Sequence, residues 1–406
     1  MSIDPVMARI PGPLAAFSEG YASDLTRLGY APVSIRLQIK VLADLSGWLL
    51  LGGMVAADLT SSVLRRFLCD RRVAGHTRYA STKALQPILD YLQRLGVVAR
   101  QIDDADVGPA DAILDRFRRY LTVERGLTAV TARAYFDLVR PFVQGWLSVD
   151  RGDLDFRHLA ARDVVSFVVA HCPRQSRGAA KLTVTALRSF LGFLHLDGAI
   201  ESSLVSAVPS VAGRRLVGLP KGLGADQVRR LISSCEDSTR RGCRDIAILT
   251  MLARLGLRSG EVARLRLDDI DWRAGEIIIR GKGSTLERVP LPADVGQTVA
   301  EYLQRGRPAS AQGRTVFVRI KAPHRHLSSS GVSHVVADAA KRAGLGRIYA
   351  HRLRHTAAMQ MLRAGASLPE IGQLLRHRCA LTTAIYAKVD RDVLRMIARP
   401  WPGEAA

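Results

Sequence analysis

One eight-residue pattern occurs twice in the chain. Gly29-Tyr-Ala-Pro-Val-Ser-Ile-Arg36 aligns with Gly126-Leu-Thr-Ala-Val-Thr-Ala-Arg133 at an offset of 97 residues, and each copy runs into an apolar pattern ending in Trp48-Leu49 or Trp146-Leu147. Further on, Leu85, Leu89 and Leu92 answer to Leu187, Leu191 and Leu194. Repetition at a fixed period means one supersecondary design used twice. Apolar residues spaced i, i+3, i+4 and i+7, with Ser or Thr at the starts, predict about four or five short amphipathic helices in each copy. The first two portions of the chain are therefore expected to be all-helical modules.

Two segments break this periodicity. Residues 102–110 are acidic with a Gly-Pro pair, and residues 208–224 are rich in Gly and Pro around Arg214, Arg215 and Lys221. Such composition reads as linker. The expected organisation is an extra N-terminal helical domain at 1–105, a second helical domain at 106–207, a basic linker at 208–224 and a third domain at 225–406. The third is mixed. Helical periodicity covers 227–235 and 242–255, and Ser259 reads as the N-cap of a helix through Leu265. Residues 275–280 and 287–291 flank a Gly281-Lys-Gly-Ser turn as a β-hairpin, and Thr315–Arg319 reads as a third strand. Helices resume at 332–343, 351–364, 368–375 and 382–389. The fold class is thus multidomain: two all-α modules followed by an α+β domain with a small antiparallel sheet.

Charge is unevenly placed. Of 59 basic and 37 acidic residues, 34 and 17 lie in residues 212–406, leaving +17 of the net +22 in that half. Arginine supplies 51 of the basic side chains. A GC-rich genome would explain the Arg-to-Lys ratio but not the localisation, which argues for a polyanionic partner, nucleic acid ahead of acidic lipid. The longest uncharged apolar stretch, Trp48 to Ala57, has ten residues including two glycines, about half of a membrane span. The N-terminus has no basic region leading into an apolar core, so no secretory signal is expected and the compartment reads as cytoplasmic. Five cysteines without a Cys-x-x-Cys pair support neither a disulfide framework nor a zinc site. No Walker-type loop and no metal-ligand spacing is present, so no cofactor or metal is expected.

Five short motifs follow one another: Leu255-Gly-Leu-Arg258-Ser-Gly-Glu261, Gly281-Lys282-Gly283, His351-Arg-Leu-Arg354-His355, Leu374-Leu-Arg-His377 and Thr382-Thr-Ala-Ile-Tyr386. Each alone is ordinary. A lone arginine or a turn-tip lysine is usually solvated, three polar residues at i, i+3 and i+4 make a polar helix face, and a buried tyrosine is usually a packed one. Together they form a coherent chemistry. Two arginines neutralise the non-bridging oxygens of a phosphodiester, a lysine protonates the departing 5′ oxygen, histidines handle the phenol proton, and a tyrosine attacks phosphorus without a metal.

In this order and spacing the motifs resemble the tyrosine recombinases, or phage-type integrases. The resemblance is strong over residues 220–390, and the helical module at 108–205 resembles that family's core-binding domain. It implies Arg258, Lys282, His351, Arg354, His377 and Tyr386 as the catalytic set, with Glu261 and His355 in support. It also implies a double-stranded DNA partner cleaved at a specific site through a 3′-phosphotyrosyl intermediate. Four protomers on two DNA sites would exchange strands through a Holliday junction, for integration, excision or transposition of a mobile element, with other recombinases of the same element as possible partners. Arg214, Arg215 and Lys221 of the linker, with Arg133, Lys181 and Arg376, are candidate DNA contacts. Position 376 departs from the family, which commonly has Gly there; the arginine would add a phosphate donor. The amphipathic segment 391–398 would dock on a neighbouring protomer or on its own domain. A nucleoid-associated cytoplasmic protein is implied. The rivals are a non-catalytic DNA-binding protein on the same scaffold and a type IB topoisomerase.

Overall fold

The computed structural model describes residues 10–99, 108–146, 155–212, 222–281, 285–376, 383 and 386. The chain forms two compact units, one of Met1–Ala56, His76–Val97 and Leu216–Ala406, the other of Ala57–Gly75 and Val98–Arg215.

In the first unit, α1 (Ser18–Arg27) and α2 (Pro32–Leu51) pack with a helix at Thr82–Arg94. Leu25, Leu42, Leu45, Leu49, Leu85, Ile88 and Leu92 are buried at helical spacing. The Tyr21 hydroxyl, buried with them, donates to Gln38 Oε1 at 2.9 Å. The second unit contains α3 (Ser61–Val73), α5 (Pro109–Arg119), α6 (Ala129–Trp146), α7 (Ala161–His171) and α8 (Arg177–Leu196), the Thr82–Arg94 helix being α4. Its core is aromatic: Phe117 and Phe190 meet edge to face at 5.1 Å between centroids, the geometry a ring quadrupole favours. The starts of α2 and α6, Pro32 and Ala129, keep the offset of 97 residues read from the repeat.

The remainder of the first unit is built on α10 (Arg240–Leu255), which follows α9 (Ala225–Ser233). The Thr239 hydroxyl caps α10 by accepting the amide of Gly242, and most of the helix is buried. Around it lie α12 (Ala293–Glu301), α13 (Ser329–Arg342) and α14 (Ala350–Arg363). The short helices α11 (Ser259–Arg264) and α15 (Leu368–Leu374) flank this group. An antiparallel sheet in the order β1 (Ile270–Asp271), β2 (Glu276–Arg280), β3 (Leu286–Pro290) pairs Ile277 with Val289 and Ile279 with Glu287. Ile277 and Ile279 point into the core and the residues between them do not, the two-residue alternation of a strand with one covered face.

The chain is mostly helical with a small antiparallel sheet, as expected, but three local expectations change. The third strand is Ile270–Asp271 rather than Thr315–Arg319. Val316, Phe317 and Val318 are all buried, and their backbone bonds go to scattered partners, Val316 N to Leu265 O and Val318 N to the Tyr302 hydroxyl, rather than to a ladder. Ser259 is the first residue of α11 rather than its cap; Arg258 occupies the cap position. The sequence pattern also missed α12, whose Val295 and Val299 are buried. Of the expected helix at 382–389, only Thr383 and Tyr386 are among the described residues. Among the described residues no helix is long and apolar enough to cross a membrane.

Candidate active site

The bend between α10 and α11 sets the first part of the site. Gly256 ends α10 in the left-handed region at φ 57°. A Cβ there would stand 2.6 Å from Leu375 Cδ2, so glycine is required both by backbone and by space. Two residues later Arg258 caps α11, and the Glu261 carboxylate turns back on it. Glu261 Oε2 accepts the Arg258 amide at 2.9 Å, and Oε1 accepts Arg258 Nη1 at 2.7 Å. A carboxylate three residues into a helix satisfies an otherwise unpaired amide and complements the helix dipole. Glu261 is buried, yet these bonds and the nearby Arg376 charge hold its carboxyl below the usual range against the opposing effect of burial. The Arg258 side chain remains 43% exposed, so one part of its guanidinium is braced and another reaches solvent.

Helix α14 supplies His351, Arg354 and His355 on one face, as their spacing predicted. Arg354 is buried to 1% exposure. Its Nη1 donates to Gly256 O at 2.6 Å and its Nη2 to Leu375 O. Burial first, and then the Arg258 charge, push the guanidinium down to about 10. It makes no ion pair among the described residues. A guanidinium held by two carbonyls, against its own desolvation and beside like charge, is a preorganised anion site.

Tyr386 comes from beyond α15. It is 1% exposed and packs on Ala358, Ile371 and Leu375. Its Oη lies 2.8 Å from His355 Nδ1. Burial, then His351 and Arg354, lower the His355 ring to about 4, so it is neutral at ordinary pH. In the Nε2–H tautomer its Nδ1 accepts the phenol proton. Burial also raises the phenol itself, Arg354 opposing it. His351 stacks edge on to His355 with centroids 4.6 Å apart, and burial, with Arg354 and Arg258, lowers it too.

The structure therefore brings Arg258, Glu261, His351, Arg354, His355 and Tyr386 into one connected set. Lys282 and His377 lie outside the described residues, as do Arg214, Arg215 and Lys221. Arg133 on α6 is exposed and pairs with Asp137 at 3.1 Å, and Lys181 is exposed on α8. Arg376, expected to face phosphate, is turned inward instead: its side chain is 4% exposed and donates to Glu261 Oε2 at 3.2 Å. Sequence reasoning had not found this inward role, nor the Gly256 and Leu375 carbonyls that seat Arg354. The available signal for Arg376 was a cation at a position where the resemblance leads one to expect glycine.

Comparison with known proteins shows the family and the fold. Residues 221–392 match the phage integrase family, and residues 114–198 match the phage integrase N-terminal SAM-like domain. A Sinorhizobium fredii protein named as an integrase/recombinase, y4rA, is 42% identical over 100% of this chain and 99% of its own length. Tyrosine recombinase XerD of Listeria monocytogenes is 32% identical over 69% of this chain and 94% of its own. A lambda integrase tetramer bound to a Holliday junction has the same fold, with a TM-score of 0.53 at 18% identity, over 81% of this chain and 90% of that one. With the arginines, histidines and tyrosine assembled as the motifs require, and a full-length relative at this identity, the chain belongs to the phage integrase family of tyrosine recombinases.

Proposed function

We propose that this protein is a site-specific recombinase that breaks and rejoins double-stranded DNA through a covalent 3′-phosphotyrosyl intermediate. The observation that carries the reading is the Tyr386 hydroxyl hydrogen-bonded to a neutral His355, one residue along α14 from a buried guanidinium that makes no ion pair among the described residues. A phenol with a proton acceptor beside a buried guanidinium is placed as a nucleophile next to a group that attracts phosphate.

In this mechanism the scissile phosphate sits between Arg258 and Arg354, whose donors neutralise its non-bridging oxygens. His355 takes the phenol proton as Tyr386 attacks phosphorus, and the bond to the 5′ oxygen breaks as Lys282 protonates it. His351 and His377 complete the hydrogen bonding around the phosphate. The phosphotyrosine conserves the bond, so a 5′-hydroxyl from another strand reverses the step and rejoins DNA without a nucleotide cofactor. The lambda integrase relative is a tetramer on a Holliday junction, and four protomers with sequential strand exchange are the proposed assembly here. Integration, excision or transposition of a mobile element at the nucleoid is the proposed setting, in keeping with a relative named integrase/recombinase.

Residues 106–207 act as the core-binding domain and 225–406 as the catalytic domain, with linker cations Arg214, Arg215 and Lys221 along the backbone and Arg133 and Lys181 as further contacts. Residues 1–105, whose α2 keeps the 97-residue offset to α6, serve as a second core-binding-like module. The test is a nicked suicide duplex. Tyr386→Phe is expected to bind DNA but give no SDS-resistant adduct; an adduct formed by that variant would falsify the nucleophile assignment.

A further inference from the structure

Arg376 has a left-handed backbone, φ 56°, a conformation that glycine adopts freely and that a side chain disfavours. Its side chain is nonetheless placed with care. Nη2 donates to Glu261 Oε2, Nη1 donates to Leu374 O at 2.9 Å, and the Arg376 carbonyl accepts Arg258 Nη2 at 3.3 Å. One buried carboxylate therefore holds two cations, Arg258 and Arg376, and Arg376 also bears on Arg258 through its carbonyl.

We propose that Arg376 is a positioning residue: by sharing the Glu261 charge it keeps the Arg258 guanidinium available to phosphate. This rests on the assignment of Arg258 to the phosphate clamp. Without Arg376, Glu261 and Arg258 form a closed, neutral pair. The carboxylate then competes with phosphate for the same donors, at 2.7 Å and in a part-buried setting. With Arg376 the three residues carry a net positive charge, and the Arg376 carbonyl fixes the rotamer of the outer donor. Arg376 acts through Glu261 and its own carbonyl, and touches no substrate.

The test measures single-turnover adduct formation on a nicked suicide duplex, with DNA affinity and thermal melting recorded for each protein. Arg376→Gly removes the guanidinium while suiting the backbone, and Glu261 keeps its two bonds to Arg258, so the loss of the buried pair is cushioned and the variant is expected to melt close to wild type and to bind DNA within about threefold. Its cleavage rate is expected to fall about tenfold to a hundredfold, the usual effect of losing a group that orients a primary one. Arg376→Lys, which keeps the charge, should recover most of that loss. Arg376→Gly/Glu261→Gln should also cleave faster than Arg376→Gly, because the competing charge is gone; a merely structural role predicts no such rescue. Arg376→Gly cleaving within threefold of wild type, or a double variant no faster than Arg376→Gly, would overturn the proposal. Should Arg376→Gly melt lower, Arg376→Lys decides: cleavage close to wild type supports the proposal, and loss equal to the glycine variant refutes it. Arg258→Ala separates the two readings. If it cleaves normally the clamp assignment is wrong, whereas an inactive Arg258→Ala beside an active Arg376→Gly removes only the role given to Arg376.

Discussion

Replacing Arg354 with methionine is expected to leave the protein as stable as wild type, or slightly more so, while abolishing strand cleavage. The guanidinium is 1% exposed, without a carboxylate partner among the described residues, and burial with the Arg258 charge lowers it to about 10. That displacement corresponds to about 3 kcal/mol of bias against the charged form, at about 1.4 kcal/mol for each factor of ten. Methionine fills similar space without the charge. It leaves the Gly256 and Leu375 carbonyls without their donor, a loss of about 1 kcal/mol each. The difference lies between neutral and about 1 kcal/mol stabilising, or up to about 4 °C in Tm for a unit of this size. A buried cation paired with a carboxylate behaves oppositely, since removing it strands the partner and destabilises by about 3–5 kcal/mol. Thermal melts with and without orthovanadate, a mimic of five-coordinate phosphorus, give the measurement. Wild type should gain about 1.4 kcal/mol at tenfold excess over Kd, and Arg354→Met should gain nothing. A variant destabilised by more than about 3 kcal/mol would show that Arg354 is a structural brace, and the argument for a site charged in advance of its ligand would fail.

The neutral His355 ring predicts a pH dependence of stability. Its folded value, about 4, lies below the ordinary 6.5, so the unfolded chain binds the proton more tightly. Stability is full above pH 6.5 and is lost as pH falls from there to about 4. The interval is worth about 3 kcal/mol for a fully desolvated group, and the partly exposed ring reduces it to about 1 kcal/mol; His355→Gln should flatten the Tm profile over that window, and an unchanged profile would place the titration elsewhere. Lys282→Ala should lose cleavage of an ordinary duplex and regain it on a 5′-bridging phosphorothiolate, whose sulfur leaves without a proton; absence of rescue would remove Lys282 from the general-acid role.

What the sequence could reveal followed from local periodicity. The helices carrying the site were legible because α10 and α14 repeat apolar residues at helical spacing, and the face shared by His351, Arg354 and His355 follows from 3.6 residues per turn. The hydrogen bond that Tyr386 donates to His355 crosses 31 residues, a separation no local pattern encodes. Thr315–Arg319 misled because a continuous apolar run states burial but not which partners its amides find. Ser259 misled for a related reason: serine is a good cap in isolation, but the Glu261 carboxylate reaches the Arg258 amide and moves the boundary by one residue. At Arg376 the family pattern pointed to glycine and charge pointed to phosphate. The structure satisfies the first expectation in its backbone and redirects the second to Glu261.

The charges at this site suit the change in charge that the proposed reaction brings. Arg258, Arg354 and Arg376 with Glu261 give two net positive charges among the described groups of the cluster, and the histidines add none while neutral. A phosphodiester brings one negative charge, and the five-coordinate species formed when a phenolate attacks it carries two. On the proposed mechanism the ground-state phosphate leaves one positive charge of the cluster uncompensated, and the second negative charge that develops, with the proton His355 takes from Tyr386 beside it, is held more strongly. An interaction that strengthens between those states lowers the barrier, whereas one equally strong in both only tightens binding. Glu261 sets the balance: without it the cluster would hold three positive charges and bind any phosphate backbone tightly, while without Arg376 it would hold one and match the ground state. The buried positions of Arg354, Glu261 and Arg376 keep this charge in place without rearrangement during the reaction, which is the condition under which fixed dipoles and ions contribute most to catalysis.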